Sequence, residues 1–166
     1  MHRAEVLKRR IRALLAVFML CLVLSGVTAF PLEAELRILT RVLGVDQAKP
    51  PGDYDGLRYW IARVDQGVRE TNAQYPFMAY GTDWLAFGHI AIAVFFIGAL
   101  LDPVRNEWVV TAGMIVCIGV IPLALIAGAV RGIPLYWRLL DCSFGVIGIV
   151  PLWLCRQYIH QLEVLD

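Results

Sequence analysis

Five side chains carry charge or a titratable ring inside or beside apolar stretches of this sequence: Asp83, His89, Arg131, Arg138 and Asp141. An ionisable group in apolar surroundings is costly unless it is paired, so each marks a binding or catalytic function or an internal ion pair. Asp141 stands just inside an apolar run and needs a cationic partner, for which Arg131 and Arg138 are the candidates. If the set is catalytic, His89 and Asp141 form its acid/base pair. If it binds a ligand, Arg131 and Arg138 suit a lipid headgroup phosphate, because the guanidinium fork matches phosphate geometry. The competing reading is an ion-pair network that only fixes helix ends. The residues match no enzyme motif and leave both readings open.

Metal and haem chemistry have less to stand on. A haem on His89 would need a second axial histidine at a similar depth, and the others are His2 and His160, near the two ends of the chain. No metal site and no cofactor are expected. Cys21, Cys117, Cys142 and Cys155 form no CxxC pair, and most lie in apolar runs, so buried thiols are the default. Cys142 would be reactive only if it faced a pocket near Arg138.

The elements that must position these residues are four apolar blocks, covering residues 12–30, 84–101, 108–130 and 139–157. The chain is 59% hydrophobic and 17% charged, against roughly 45–50% and about 25% in ordinary soluble domains. A bilayer core about 30 Å thick takes roughly 17–25 helical residues, and each block fits. The fold expected is all-α: one membrane domain over residues 1–166, a bundle of four transmembrane helices. The first block has a rival reading as a secretory signal, with Lys8-Arg9-Arg10 before it and Val27-Thr28-Ala29 as a cleavage site. Its apolar run is long for a signal, which favours a retained helix.

Orientation follows from the basic flank. Arg3, Lys8, Arg9, Arg10 and Arg12 place the N-terminus in the cytoplasm. Residues 31–83 are then outside, the turn 102–107 inside, the turn 131–138 outside and the C-terminal tail inside. The five candidate residues, with Ser25 and Thr28, come to share the outer depth. The inner turn reads as a tight connection with Trp108 at the interface.

The outside segment carries two helical patterns. Leu32, Leu36, Leu39 and Leu43 share one face, with Pro31 suited to the start and Gly44 to the stop. Leu57, Trp60, Ile61, Val64 and Val68 share another, and residues 49–56 are a loop. Two short amphipathic helices capping the outer face of the bundle are expected. Tyr75, Phe77, Tyr80 and Trp84 read as an interfacial aromatic belt, with a ligand-stacking surface as the alternative. Gly113, Cys117, Ala124, Gly128, Gly145 and Gly148 permit close helix approach, and Pro122 and Pro151 are candidate kinks.

The stretches Tyr80-Gly-Thr-Asp-Trp-Leu-Ala-Phe-Gly-His89 and Arg131-Gly-Ile-Pro-Leu-Tyr-Trp-Arg-Leu-Leu-Asp-Cys-Ser-Phe-Gly145 resemble those of small bacterial four-span inner-membrane proteins that carry no functional name. The resemblance covers most of the chain and implies a bacterial inner-membrane location and no particular activity. No motif of oxidoreductases, rhomboid-type proteases, lipid phosphatases or transporters is present. The function expected is therefore non-enzymatic: an accessory or lipid- or small-molecule-binding protein with a polar pocket at the outer leaflet. The alternatives are a membrane enzyme acting on a lipid or isoprenoid phosphate, and a small oligomeric transporter. The uncharged middles of the second and third blocks argue against the transporter. Expected partners are the lipid bilayer and a lipid headgroup or membrane protein; a net charge of +1 gives no sign of nucleic acid.

Overall fold

A computed structural model of the chain describes residues 2–165, His2 by its backbone alone. Six helices follow in order: α1 (His2–Ala29), α2 (Leu32–Leu43), α3 (Gly56–Gln74), α4 (Tyr80–Leu101), α5 (Glu107–Val130) and α6 (Leu135–Glu163). Short 3₁₀ turns lie at Pro51–Asp53 and Pro76–Ala79, and no strand occurs among the described residues. Four helices, α1, α4, α5 and α6, are long and apolar enough to cross a membrane.

Two of these helices outrun their apolar blocks. α1 begins at His2 and not near residue 12, and α6 runs from Leu135 to Glu163, beyond 139–157 on both sides. The cause is amphipathic periodicity that continues where hydrophobicity stops. Leu7, Ile11 and Leu15 recur every four residues and are buried, although Lys8, Arg9, Arg10 and Arg12 lie between them. On α6, Cys155, Ile159 and Leu162 extend the buried seam past Arg156.

The chain divides into two compact units, one of Met1–Leu22 with Ala91–Asp166 and one of Val23–Ile90, so α1 and α4 each contribute to both. The first unit has an apolar core in which Leu7, Ile11 and Leu15 of α1 join Phe96 and Ala99 of α4, Val110 and Cys117 of α5, and Leu152, Cys155 and Ile159 of α6. The Phe18 and Phe96 rings pack with centroids 5.0 Å apart. The α5–α6 pair approaches closely where Gly145 faces the Cys117 backbone carbonyl, and a Cβ on Gly148 would lie 3.0 Å from Cys117 Sγ. Small residues at these positions let the two backbones meet.

The connections in this unit satisfy their own polar groups. α5 ends in a Schellman motif: Gly132 adopts φ +70°, and Ile133 N–H donates to Gly128 O at 2.9 Å. At the α4–α5 turn, Asn106 Nδ2 donates to Gly98 O at 3.1 Å and Asp102 O at 2.9 Å, covering the last carbonyls of α4. This turn is more elaborate than a tight connection. Glu107 at the start of α5 accepts from Arg156 Nε at 3.0 Å, and His160 lies beside it at 3.4 Å.

In the second unit, α2 and α3 form an antiparallel helical hairpin, Asn72 at the end of α3 reaching Glu33 at the start of α2. Leu36, Thr40 and Val45 are buried with Ile61 and Ala62. Gly44, at φ 66°, ends α2 in a second Schellman motif, with Val45 N–H on Thr40 O at 2.8 Å. The hairpin also buries a charge. Asp65 is 2% exposed and accepts from Gln47 Nε2 at 3.1 Å and Arg69 Nε at 2.9 Å, which latches the loop after Gly44 onto α3. Where α1 meets α4, a Cβ on Gly26 would fall 2.7 Å from the Ala86 carbonyl oxygen, so only glycine fits that crossing.

Candidate functional site

The five candidate residues fall in different units. Asp83 and His89 lie on α4 in the Val23–Ile90 unit, and Arg131, Arg138 and Asp141 lie in the other. Each group is therefore described by itself.

Within the larger unit, the expected ion pair is absent: Asp141 has no hydrogen-bond or ion-pair partner among the described residues. Arg138 is drawn elsewhere. Its Nη1 donates to Leu125 O at 3.2 Å, across the end of α5. Its aliphatic stem fills the space left by Gly128, where a Cβ would come within 2.6 Å of Arg138 Cδ. Stem packing on apolar surface with the head on a polar group is a common use of arginine. Arg138 Nε is left buried without a partner, and Arg131 is exposed at the end of α5. Cys142 is buried, with its Sγ 3.8 Å from Ile121 O, which matches the inert reading of that thiol.

In the other unit, His89 turns to its own helix. Its Nδ1 lies 2.8 Å from Leu85 O, one turn back. A carbonyl only accepts, so Nδ1 carries the proton, and in the neutral ring Nε2 is left as the free acceptor. The interhelix hydrogen bond that lipid burial would demand of this residue is thus replaced by an intrahelical one. The side chain of His2 lies outside the described residues.

Asp83 is the candidate residue that opens on a cavity. A groove of about 740 Å³ runs between the α2–α3 hairpin and the adjoining ends of α1 and α4. Its apolar wall comes from Phe30, Leu32, Val64, Val68 and Met78, and its polar wall from Glu33, Arg37, Thr71, Asn72, Thr82 and Asp83. This volume is within the range of about 300–1,000 Å³ typical of small-molecule sites, and the mixed lining suits an amphipathic occupant. Glu33 and Arg37 stand one turn apart on α2, a spacing visible in the sequence but indistinguishable there from a solvated helix pair. A smaller hollow of about 370 Å³ lies over the latched loop, lined by Lys49, Asp65, Arg69 and Glu70 among others.

The polar set at the other end of α5 was not foreseen. Glu107, His160 and Glu163 bring ligand-type atoms within 4.8 Å of one another, with Arg156 3.0 Å from Glu107. Arg156 offsets the charge of Glu107, and Glu163 has His160 Nδ1 beside it at 3.2 Å, so each carboxylate already has a partner.

The chain matches no protein-family model, and neither a curated protein nor a solved structure is significantly similar to it.

Proposed function

We propose that this is a multi-pass protein of a bacterial inner membrane, with both termini cytoplasmic, that holds an amphipathic small molecule or lipid in the groove beside Asp83 and performs no chemistry on it. The observation that carries the reading is the groove itself: about 740 Å³ with a lining both apolar, from Phe30, Leu32, Val64, Val68 and Met78, and polar, from Glu33, Arg37, Thr82 and Asp83 among others. If α1 and α4 cross the bilayer, their ends at Phe30 and Thr82 reach one surface, and the groove opens at headgroup depth. Amphipathic molecules concentrate there.

The hairpin also suits an interfacial position. Opposite its buried face, α2 carries a second apolar stripe, with Ile38 63% and Val42 76% exposed and Arg41 beside them. Phe77, Tyr80 and Trp84 are exposed as well, with the Tyr80 and Trp84 rings 6.0 Å apart at the start of α4. Such residues are stable where headgroups meet acyl chains.

Gly67 provides the test. It lines the groove, and a Cβ there meets nothing within 4 Å, so a larger side chain enters open space. The full chain and its Gly67→Phe variant are purified in a mild neutral detergent and analysed by native mass spectrometry. A bound amphiphile of defined mass is expected on the wild-type chain and missing from the variant. No retained amphiphile on either, across several neutral detergents, would refute the reading.

A further inference from the structure

We infer that the ligand's head is a cation, an amine or quaternary ammonium borne on an amphiphile, and that Asp83 recognises it. This rests on the groove reading above and adds the charge of its occupant. Three charged side chains line the groove: Glu33, Arg37 and Asp83. Two of them cancel. Arg37 Nη2 lies 3.4 Å from Glu33 Oε1, and Asn72 Nδ2 donates to Glu33 Oε2 at 3.3 Å. Both Glu33 oxygens are thereby engaged. Asp83 is half-buried and has neither a hydrogen-bond nor an ion-pair partner among the described residues. The groove thus presents one uncompensated negative charge next to an apolar wall.

That arrangement discriminates by sign. A cationic head gains a partner at Asp83 and leaves the Glu33–Arg37 pair intact. An anionic head would have to draw Arg37 away from Glu33 while sitting near a free carboxylate, and like charges at short range are repulsive. The hydroxyls of Thr71 and Thr82 can accept from the N–H groups of a protonated amine, a contact that a quaternary head lacks. The apolar part of the ligand is left for Phe30, Val64, Val68 and Met78. Two sources share this chemistry: an aminophospholipid of the bilayer and a free long-chain amine. The alternative role for Asp83 is structural, as an acidic residue in the first turn of α4.

The test uses the full chain in neutral maltoside micelles, titrated by calorimetry with dodecylamine, and with dodecyl sulfate as the anionic probe. Dodecylamine is expected to bind saturably at one site. Asp83→Asn should weaken it by about tenfold, the scale of one charge-assisted contact, while Asp83→Glu stays within a few-fold. Circular dichroism of each variant confirms that the helices persist. Native mass spectrometry after extraction from membranes of phosphatidylethanolamine and phosphatidylglycerol separates the sources. Retention of the aminophospholipid assigns a lipid; binding of dodecylamine with neither lipid retained assigns a free amine. Equal binding of dodecyl sulfate, or unchanged affinity in Asp83→Asn, overturns the cationic assignment even if Gly67→Phe still blocks the groove. Failure of Gly67→Phe to affect any probe overturns the groove reading itself.

Discussion

Replacing Gly145 by alanine is expected to force α5 and α6 apart. The new Cβ would fall on the Cys117 carbonyl oxygen, closer than real Cβ contacts come, and 3.5 Å from Val120 Cβ. A backbone oxygen within a helix cannot rotate away, so the helices must separate. Separation loosens the neighbouring contact in which Gly148 faces Cys117 Sγ and Phe18. Overpacking of this kind costs about 1–3 kcal/mol, and the helix propensity gained over glycine returns at most ~1 kcal/mol. With that return in full, a net loss of up to about 2 kcal/mol follows, with leucine at the same position worse. Two other glycines calibrate the reasoning. At Gly113 the Cβ meets only the ends of Phe96 (2.7 Å) and Leu152 (3.0 Å), which can yield, so alanine should be milder. At Gly119 it meets nothing within 4 Å, so alanine should be neutral or slightly stabilising. Equilibrium unfolding in mixed micelles, followed by circular dichroism as denaturing detergent is added, gives the order. Equal stability of Gly145→Ala and Gly119→Ala would refute the close packing of α5 on α6.

The latch in the hairpin and the chain's topology can be tested as directly. Asp65→Ala removes the Gln47 bond that fastens the loop after Gly44 and the Arg69 contact within α3, at a cost of about 1–3 kcal/mol for a buried hydrogen-bonded carboxylate. Amides of the segment 46–54 should exchange hydrogen faster in that variant, and unchanged exchange would show that Asp65 does not hold the loop. A reporter enzyme active only outside the cytoplasm, inserted after Asp55, should be active; a cytoplasmic reporter active at that point would reverse the orientation and move the groove to the inner surface.

Periodicity made the helices legible. The spacing of Leu32, Leu36, Leu39 and Leu43 and the stop at Gly44 are where the structure has them, because an i, i+4 stripe and a left-handed glycine are local properties. The ends of α1 and α6 were less legible, since hydrophobicity stops where amphipathicity goes on. The site was legible only in part. Asp83 lines the groove, but Glu33 and Arg37 belong to α2, far back in the chain, and α2 meets α3 through Asn72 and Glu33 across 39 positions. The same distance hid the Glu107–Arg156 contact, which spans 49 positions. Arg138 misled for a different reason. A charge beside an apolar run suggests a charged partner, but a backbone carbonyl of α5 and a glycine-sized gap satisfy most of the same need.

The two units differ in what holds them, and that difference bears on where a ligand can be received. The first is closed by apolar seams and backbone-to-backbone contact at Gly145, an arrangement that tolerates little displacement. The Val23–Ile90 unit also has an apolar seam, of Leu36, Val45, Ile61 and Ala62, but adds two polar contacts between its segments, Gln47 with Asp65 and Asn72 with Glu33. Latches of this type are individually weak where exposed and can exchange partners with water or a ligand. Binding energy from a ligand in the groove is therefore available to reorder α2 against α3, because Glu33 and Arg37 of α2 and Thr71 and Asn72 of α3 line the same groove. On this view the groove and the polar fastening of the hairpin are one feature, and a variant that replaced Glu33 and Asn72 by an apolar pair would stiffen the hairpin and weaken its response to ligand together.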